Sequence, residues 1–185
     1  MLVAQGNLGV TYERLGRYED ALRMKRDVYF RSLKLEMPGD GEDQRKTFAH
    51  TLGLAINYAD SLRNLQHFEE AKSVLRKAIP VARRVLGETD EITLKMRKVY
   101  AGALWQDDAT TLDDLRESVT MLEDLERTAR RVYGNSHPTT IGITDYLEHS
   151  QAVLRARYKS RYWDILACSF AVALFAWVWW YLINE

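Results

Sequence analysis

Histidine and cysteine have the most specific chemistry in this chain, because they bind metals and act as nucleophiles or general bases. The 185-residue sequence contains four histidines and one cysteine. No histidine has a second histidine or a cysteine at the short spacing of a metal site. The cysteine lies in an apolar run, where a thiol stays protonated and unreactive. The sequence therefore predicts no metal site, no cofactor and no nucleophile at any of these five residues, which are His50, His67, His137, His149 and Cys168.

The acidic residues do not form a catalytic pair either. Glu69-Glu70 and Asp113-Asp114 stand beside apolar residues at helical spacing, which is typical of a solvated helix face. Residues 38–43, Pro-Gly-Asp-Gly-Glu-Asp, lack the ligand spacing of an EF-hand loop and predict a solvated turn. Glycine motifs of the nucleotide-binding types are absent from the sequence. We therefore expect a protein that is not an enzyme.

Charge divides the sequence into two unequal parts. Up to Tyr162 there are 26 basic and 24 acidic residues, a net charge of +2, and only Asp164 and Glu185 carry charge beyond it. This balance gives no basic face of the kind that nucleic-acid-binding proteins need, so nucleic acid is not an expected partner. Three prolines and long runs rich in Ala, Leu, Arg and Glu predict an all-α fold.

An internal repeat organises most of the chain. The segment from Thr51-Leu52 through Tyr58-Ala59 to Leu62 recurs 42 residues later, from Thr93-Leu94 through Tyr100-Ala101 to Leu104. A second pattern, Arg-Arg-Val-Leu-Gly at 83–87, recurs as Arg-Arg-Val-Tyr-Gly at 130–134, an offset of 47 residues. The difference predicts an insertion at residues 106–111, where a polar run interrupts the apolar period. Periods of this length indicate a repeat architecture.

The first unit carries small and aromatic residues, Leu8-Gly9, Tyr12, Gly16, Tyr18 and Ala21, at spacings that resemble the tetratricopeptide repeat. The long period and the link 134–140, Gly-Asn-Ser-His-Pro-Thr-Thr, resemble the kinesin light chain type of these repeats over about residues 5 to 155. This resemblance implies a solenoid of about three helical hairpins that binds a protein or peptide.

The repeat frame predicts the helices and their ends. Gly87 and Gly134 are expected to adopt the left-handed conformation that ends a helix. Thr89 or Asp90, and Ser136, are placed to cap the helices that follow. Pro80 predicts a kink or break near residues 78–79. The expected helices are 2–15, 18–36, 46–64, 68–86, 91–105, 112–133 and 138 onward.

Candidate binding residues lie on the first helix of each hairpin, which lines the concave side of such a solenoid. Asn7 and Asn57 occupy the same repeat position, where the resemblance implies a hydrogen bond to the backbone of an extended peptide. The third unit has Val99 there. The neighbouring charges are mainly basic and favour an acidic or carboxylate-bearing peptide, although solvated surface charges would give the same pattern. The predicted contacts are Asn7, Asn57, Arg14, Arg63, Asn64, Lys95 and Lys98, with Asp60 as the acid among them.

The C-terminal segment predicts a membrane-spanning helix. Residues 165–183 form a run of 19 uncharged residues, with aromatic residues near both ends. A helix of this length spans about 28 Å, close to the hydrocarbon thickness of a bilayer. Arg155, Arg157, Lys159 and Arg161 precede the run, which places the repeats in the cytosol by the positive-inside rule. This arrangement is typical of a tail-anchored protein, while an apolar cap on the solenoid and a cytoplasmic protein are the alternatives.

Together the sequence predicts three regions: a repeat array at 1–155, a basic and aromatic juxtamembrane segment at 156–164, and a transmembrane helix at 165–183. The predicted function is a non-enzymatic scaffold or adaptor that recognises a peptide or protein and contacts membrane lipid through its last helix. The alternative is a structural protein whose repeats associate with copies of themselves.

Overall fold

The computed structural model describes the backbone of residues 2–34 and 42–184, and the side chains of residues 8–34 and 43–162. The described backbone contains seven α-helices and no β-strand, as the sequence predicts. Most bounds fall within two residues of prediction, whereas the third helix begins four residues earlier than expected. The helices are α1 (Leu2–Arg14), α2 (Tyr18–Lys34), α3 (Glu42–Asn64), α4 (Phe68–Val85), α5 (Glu91–Trp105), α6 (Leu112–Tyr133) and α7 (Pro138–Asn184).

The helices pack as three successive hairpins, α1/α2, α3/α4 and α5/α6, and each hairpin packs on the next helix of the chain. The odd-numbered helices α3, α5 and α7 also contact one another directly. No comparable packing joins α2, α4 and α6 within the described residues. Helices α3, α5 and α7 therefore form the inner layer of the array.

The residues of the 42-residue repeat are the core of the array. Tyr58 and Leu62 on α3 are buried, and so are their equivalents Tyr100 and Leu104 on α5. Leu75 on α4 is fully buried within the same apolar cluster. The repeated sequence pattern thus marks the side chains that neighbouring hairpins bury against each other.

The first hairpin is tied to the second by a buried lysine. The Nζ atom of Lys25 on α2 lies 2.5 Å from a carboxylate oxygen of Glu13 on α1 and donates to the hydroxyl of Ser61 on α3 at 2.8 Å. Ser61 in turn donates to the same Glu13 oxygen at 2.6 Å. The ammonium is buried, but its charge is paired and hydrogen-bonded, which is the arrangement that a buried charge requires.

Glycine and capping residues end the helices largely as predicted. Gly87 and Gly134 have φ values of 102° and 83°, which residues with a side chain rarely adopt. Asp90 caps α5 by accepting a hydrogen bond from the backbone N–H of Ile92 at 2.9 Å. The predicted cap by Ser136 is wrong, because Nδ1 of His137 accepts the hydrogen bond from the N–H of residue 139 at 3.2 Å.

Helix α7 runs continuously through all three of the predicted regions. The predicted span at 165–183 falls outside the residues whose side chains are described. In the part of the chain that the structure describes fully, no helix combines the length and the apolar character needed to cross a membrane.

Of the kink or break predicted near Pro80, the break does not occur, since α4 continues as one helix from Phe68 to Val85. Pro80 lies on the exposed side of α4, whereas Ala78 and Ala82 on either side of it are buried. Packing of these neighbours holds the helix together across a residue that cannot donate a backbone hydrogen bond.

Replacing Pro80 with alanine is expected to raise the free energy of unfolding by about 2 kcal/mol. A proline inside a helix destabilises the folded state by about 3 kcal/mol. Proline also restricts the unfolded chain, which stabilises the folded state by up to about 1 kcal/mol. Thermal unfolding of the full chain, followed by circular dichroism, measures the change. Ser73→Ala, at an exposed position of the same helix, is the control and should shift the midpoint far less. An unchanged or lower midpoint for Pro80→Ala would contradict the prediction.

Candidate functional site

The inner layer brings four of its side chains together, and we call Arg63, Lys95, Lys98 and Tyr146 the inner-face cluster. The ring of Tyr146 on α7 lies close to two of the cations. The Nζ atom of Lys98 is 4.9 Å from the centroid of its ring, and the guanidinium carbon of Arg63 is 5.7 Å from the same centroid. Both distances are within the range of a cation–π interaction. Three helices, α3, α5 and α7, therefore contribute to one site.

The Arg63 guanidinium is already engaged within the protein. It donates to Asp60 through Nη2 at 2.8 Å and through Nε at 3.2 Å, and to the side chain of Asn64 at 3.1 Å. A further bond from Nη1 to the side-chain oxygen of Gln106 joins α3 to the end of α5. Arg63 thus positions the cluster, and it has little donor capacity left for a ligand.

Lys95 has an acidic partner of its own. Its Nζ atom lies 2.8 Å from a carboxylate oxygen of Glu91, one turn earlier on α5. The same oxygen accepts a hydrogen bond from the hydroxyl of Thr139 at 2.7 Å. The bonds from Lys95 and Thr139 hold the pKa of the Glu91 carboxyl below its ordinary value.

Lys98 differs from its neighbours because no ion pair or hydrogen bond joins its ammonium group to any of the described residues. Burial lowers the pKa of Lys98. The charges of Asp60 and Asp145 oppose this effect, and the charges of Lys95 and Arg63 add to it. The half-buried ammonium faces a tyrosine ring, without a carboxylate in contact. Such a cation is available to an incoming anion.

Two glycines make room for the cluster. A Cβ atom at position 102 on α5 would lie 2.8 Å from Cε1 of Tyr146, closer than real contacts allow. A Cβ atom at Gly142 on α7 would lie 3.3 Å from Nζ of Lys98. The absence of side chains at these two positions is what lets the tyrosine ring and the ammonium approach each other.

The other predicted contacts lie apart from the cluster or at its edge. Asn57 on α3 is exposed and has no hydrogen bond within the described residues, so its amide is open to a ligand. Arg14 is exposed at the end of α1, and Asn64 borders the cluster through its bond from Arg63. The side chain of Asn7 lies outside the described residues. Of the two asparagines predicted to bind the backbone of a peptide, only Asn57 has a described side chain.

Tyr146 is the member of the cluster that sequence reasoning missed. A signal for it was present, because Thr139 precedes Tyr146 by seven residues, as Thr51 precedes Tyr58 and Thr93 precedes Tyr100. This spacing identifies the start of α7 as the first helix of a fourth unit. In each case the threonine is buried.

The chemistry of this site comes from its charged, aromatic and amide side chains. No group of three or more His, Cys, Asp or Glu side chains among the described residues is arranged to hold a metal ion. The site instead offers cations, an aromatic ring and an amide, which are the groups that recognise anions and peptide bonds.

The comparison with known families agrees with this architecture. Residues 1–29 and 51–91 match the tetratricopeptide repeat family. These two segments, 70 of the 185 residues, are similar to tetratricopeptide repeats. The matched residues cover α1 with most of α2, and the later part of α3 with all of α4, while the third hairpin repeats the same buried pattern. No curated protein matches the chain significantly. Tetratricopeptide repeats generally mediate protein–protein interaction as scaffolds and are typically not enzymes.

Replacing Gly102 with alanine is expected to lower the free energy of unfolding by about 1–3 kcal/mol, because the new methyl group must displace the Tyr146 ring. Gly53→Ala is the matched control, since Gly53 is also helical and has no atom within 4 Å of its Cβ position. That control should gain up to about 1 kcal/mol from helix propensity. Thermal unfolding of both full-length variants tests the prediction, and equal shifts of the same sign would refute it.

Proposed function

We propose that this protein is a scaffold that binds an extended, acidic peptide segment of a partner protein on the inner layer of its repeats, while its C-terminal helix holds the array at a membrane. The observation that carries the peptide proposal is the Lys98 ammonium, which is half-buried and has no anionic partner among the described residues. The repeats themselves account for the general protein-binding role.

A carboxylate of the peptide would complete the environment of Lys98. The ammonium has already lost part of its hydration through burial, and the cations of Arg63 and Lys95 lie on the same face. A charge-assisted hydrogen bond from Nζ to a carboxylate is shorter and stronger than a neutral one. An aspartate, a glutamate or a terminal carboxylate would each satisfy this chemistry.

Asn57 would supply the part of recognition that does not depend on sequence. Its exposed amide can donate to a peptide carbonyl and accept from a peptide N–H. Asn57 lies on α3 and Lys98 on α5, so a bound peptide would cross from one helix of the inner layer to the next. The 42-residue period and the link at 134–140 support the finer assignment to repeats of the kinesin light chain type.

Peptide binding is tested with an array of extended peptides that contain glutamate, each paired with a copy in which glutamine replaces the glutamate. We expect the full chain to prefer the acidic copies, and Lys98→Met to reduce their binding about tenfold or more because it removes a charge-assisted contact. Lys77→Met on α4, a similar change at an exposed lysine, should bind as the unmodified chain does. Asn57→Ala/Asn7→Ala should weaken acidic and neutral copies alike.

Thermal unfolding separates loss of binding from loss of fold. Lys98→Met removes a half-buried charge that lacks an ion pair, so its unfolding midpoint should stay close to that of the unmodified chain. Full binding by Lys98→Met, or by the double asparagine variant, would refute the corresponding contact. Concentration-dependent self-association with no peptide preference would instead favour the structural, self-associating alternative.

The membrane part of the proposal is supported by the 19 uncharged residues at 165–183 and by the aromatic residues near their ends.

Carbonate extraction of cells that express the full chain should leave it in the membrane pellet. Leu174→Arg/Val178→Arg places two charges in the run and should release the protein. The matched variant Leu15→Arg/Val132→Arg, at two exposed array positions, should stay in the pellet. Release of the unmodified chain would refute anchoring.

A further inference from the structure

Helix α7 leaves the array before its described side chains end. All five residues from 158 to 162 are exposed, and five residues cover more than one full turn of helix. Near this point two hydrogen bonds join α7 to the array: the hydroxyl of Tyr158 accepts from Nε of Arg116 at 2.7 Å, and Nη1 of Arg157 donates to the Thr110 carbonyl at 3.4 Å.

The stretch of α7 around this exit is strongly basic. Residues 149–163 include Arg155, Arg157, Lys159 and Arg161 and no acidic residue. Within the described part of the chain no ion pair joins any of the four to a carboxylate, and Arg155 donates instead to the carbonyl of Gln151 at 3.2 Å. Some exposed cations of the array pair locally, as Arg17 does with Asp20 and Arg116 with Asp113. Others, such as Arg84 and Arg127, have no ion pair within the described residues, so the four cations of α7 differ from them by their position around one helix.

The four cations surround the helix. Arg155 and Lys159 are one turn apart on one side, and Arg157 and Arg161 are one turn apart on the other, since two residues correspond to about 200° of rotation. A helix that lies flat on a membrane carries its cations along one polar face. Cations on both sides suit a helix whose axis passes through a layer of anionic groups.

We infer that Arg155, Arg157, Lys159 and Arg161 form a collar that binds the anionic headgroups of the membrane leaflet facing the repeats. This inference rests on the proposed anchoring. The uncharged run begins four residues after Arg161, which puts the collar at the depth of the headgroups when the run spans the hydrocarbon layer. Anionic lipids attract basic segments at this position, and the attraction falls off within a Debye length.

Energy transfer from tryptophan tests the collar in the intact chain. Four of the five tryptophans lie at residues 163–180, next to or within the run. The full chain is reconstituted into phosphatidylcholine vesicles that contain a small amount of dansyl-labelled phosphatidylserine or, in a parallel sample, dansyl-labelled phosphatidylcholine. We expect roughly twofold or greater transfer to the serine lipid, and convergence of the two signals at high salt as screening increases.

Charge variants connect the signal to the collar. Arg155→Gln/Lys159→Gln/Arg161→Gln should lose the preference for phosphatidylserine. Arg84→Gln/Arg127→Gln/Arg131→Gln removes three exposed cations from α4 and α6 and should keep it. Arg157 is left unchanged because it contacts the array. If the collar variant inserts poorly into the vesicles, the preference for phosphatidylserine is compared at low and high salt on the unmodified chain instead.

The outcomes separate the collar from the anchor. Equal transfer to both lipids by a chain that resists carbonate extraction overturns the collar and leaves the anchor standing. Absence of transfer to either lipid, together with release by carbonate, overturns the anchor and with it the collar. Equal loss of preference in both triple variants would show a general effect of net charge, and would also overturn the collar.

Discussion

Close approach of neighbouring helices through small side chains is the constraint on which the rest of this structure depends. Fully buried alanines stand on five successive helices, at Ala21, Ala59, Ala71, Ala101 and Ala129. A methyl group lets two helices approach closely, and larger residues of the repeat fill the space beside the contact. A single hairpin cannot bury its own apolar face, so each unit is stable only against the next.

The same close packing produces the chemistry of the inner layer. Gly102 and Gly142 let α5 and α7 approach until the Tyr146 ring and the Lys98 ammonium meet. Arg63 and Lys95 are paired with acids of their own helices, so Lys98 is the cation of the cluster that lacks an acidic partner in the described chain. A potential binding site therefore results from how charges are paired, since all three cations look alike in the sequence.

Helix α7 connects the two proposed activities. It contributes Tyr146 to the inner-face cluster and, 15 residues later, Arg161 to the basic collar, a distance of about 22 Å along a helix. Because α7 is continuous between these residues, the proposed peptide site and the proposed headgroup contact lie on one rigid element. On this arrangement a bound partner would be held close to the membrane surface.

The sequence by itself determined the helices and their order, because apolar periodicity, glycine and capping residues act over a few neighbouring positions. The repeat offset also identified Tyr58, Leu62, Tyr100 and Leu104 before their burial was known. Two predictions were wrong, the break of α4 at Pro80 and the Ser136 cap of α7. In these cases tertiary packing or a neighbouring side chain outweighed a local rule. Only the tertiary structure decided which cations are paired and that Tyr146 joins them, because those contacts connect residues up to 83 positions apart.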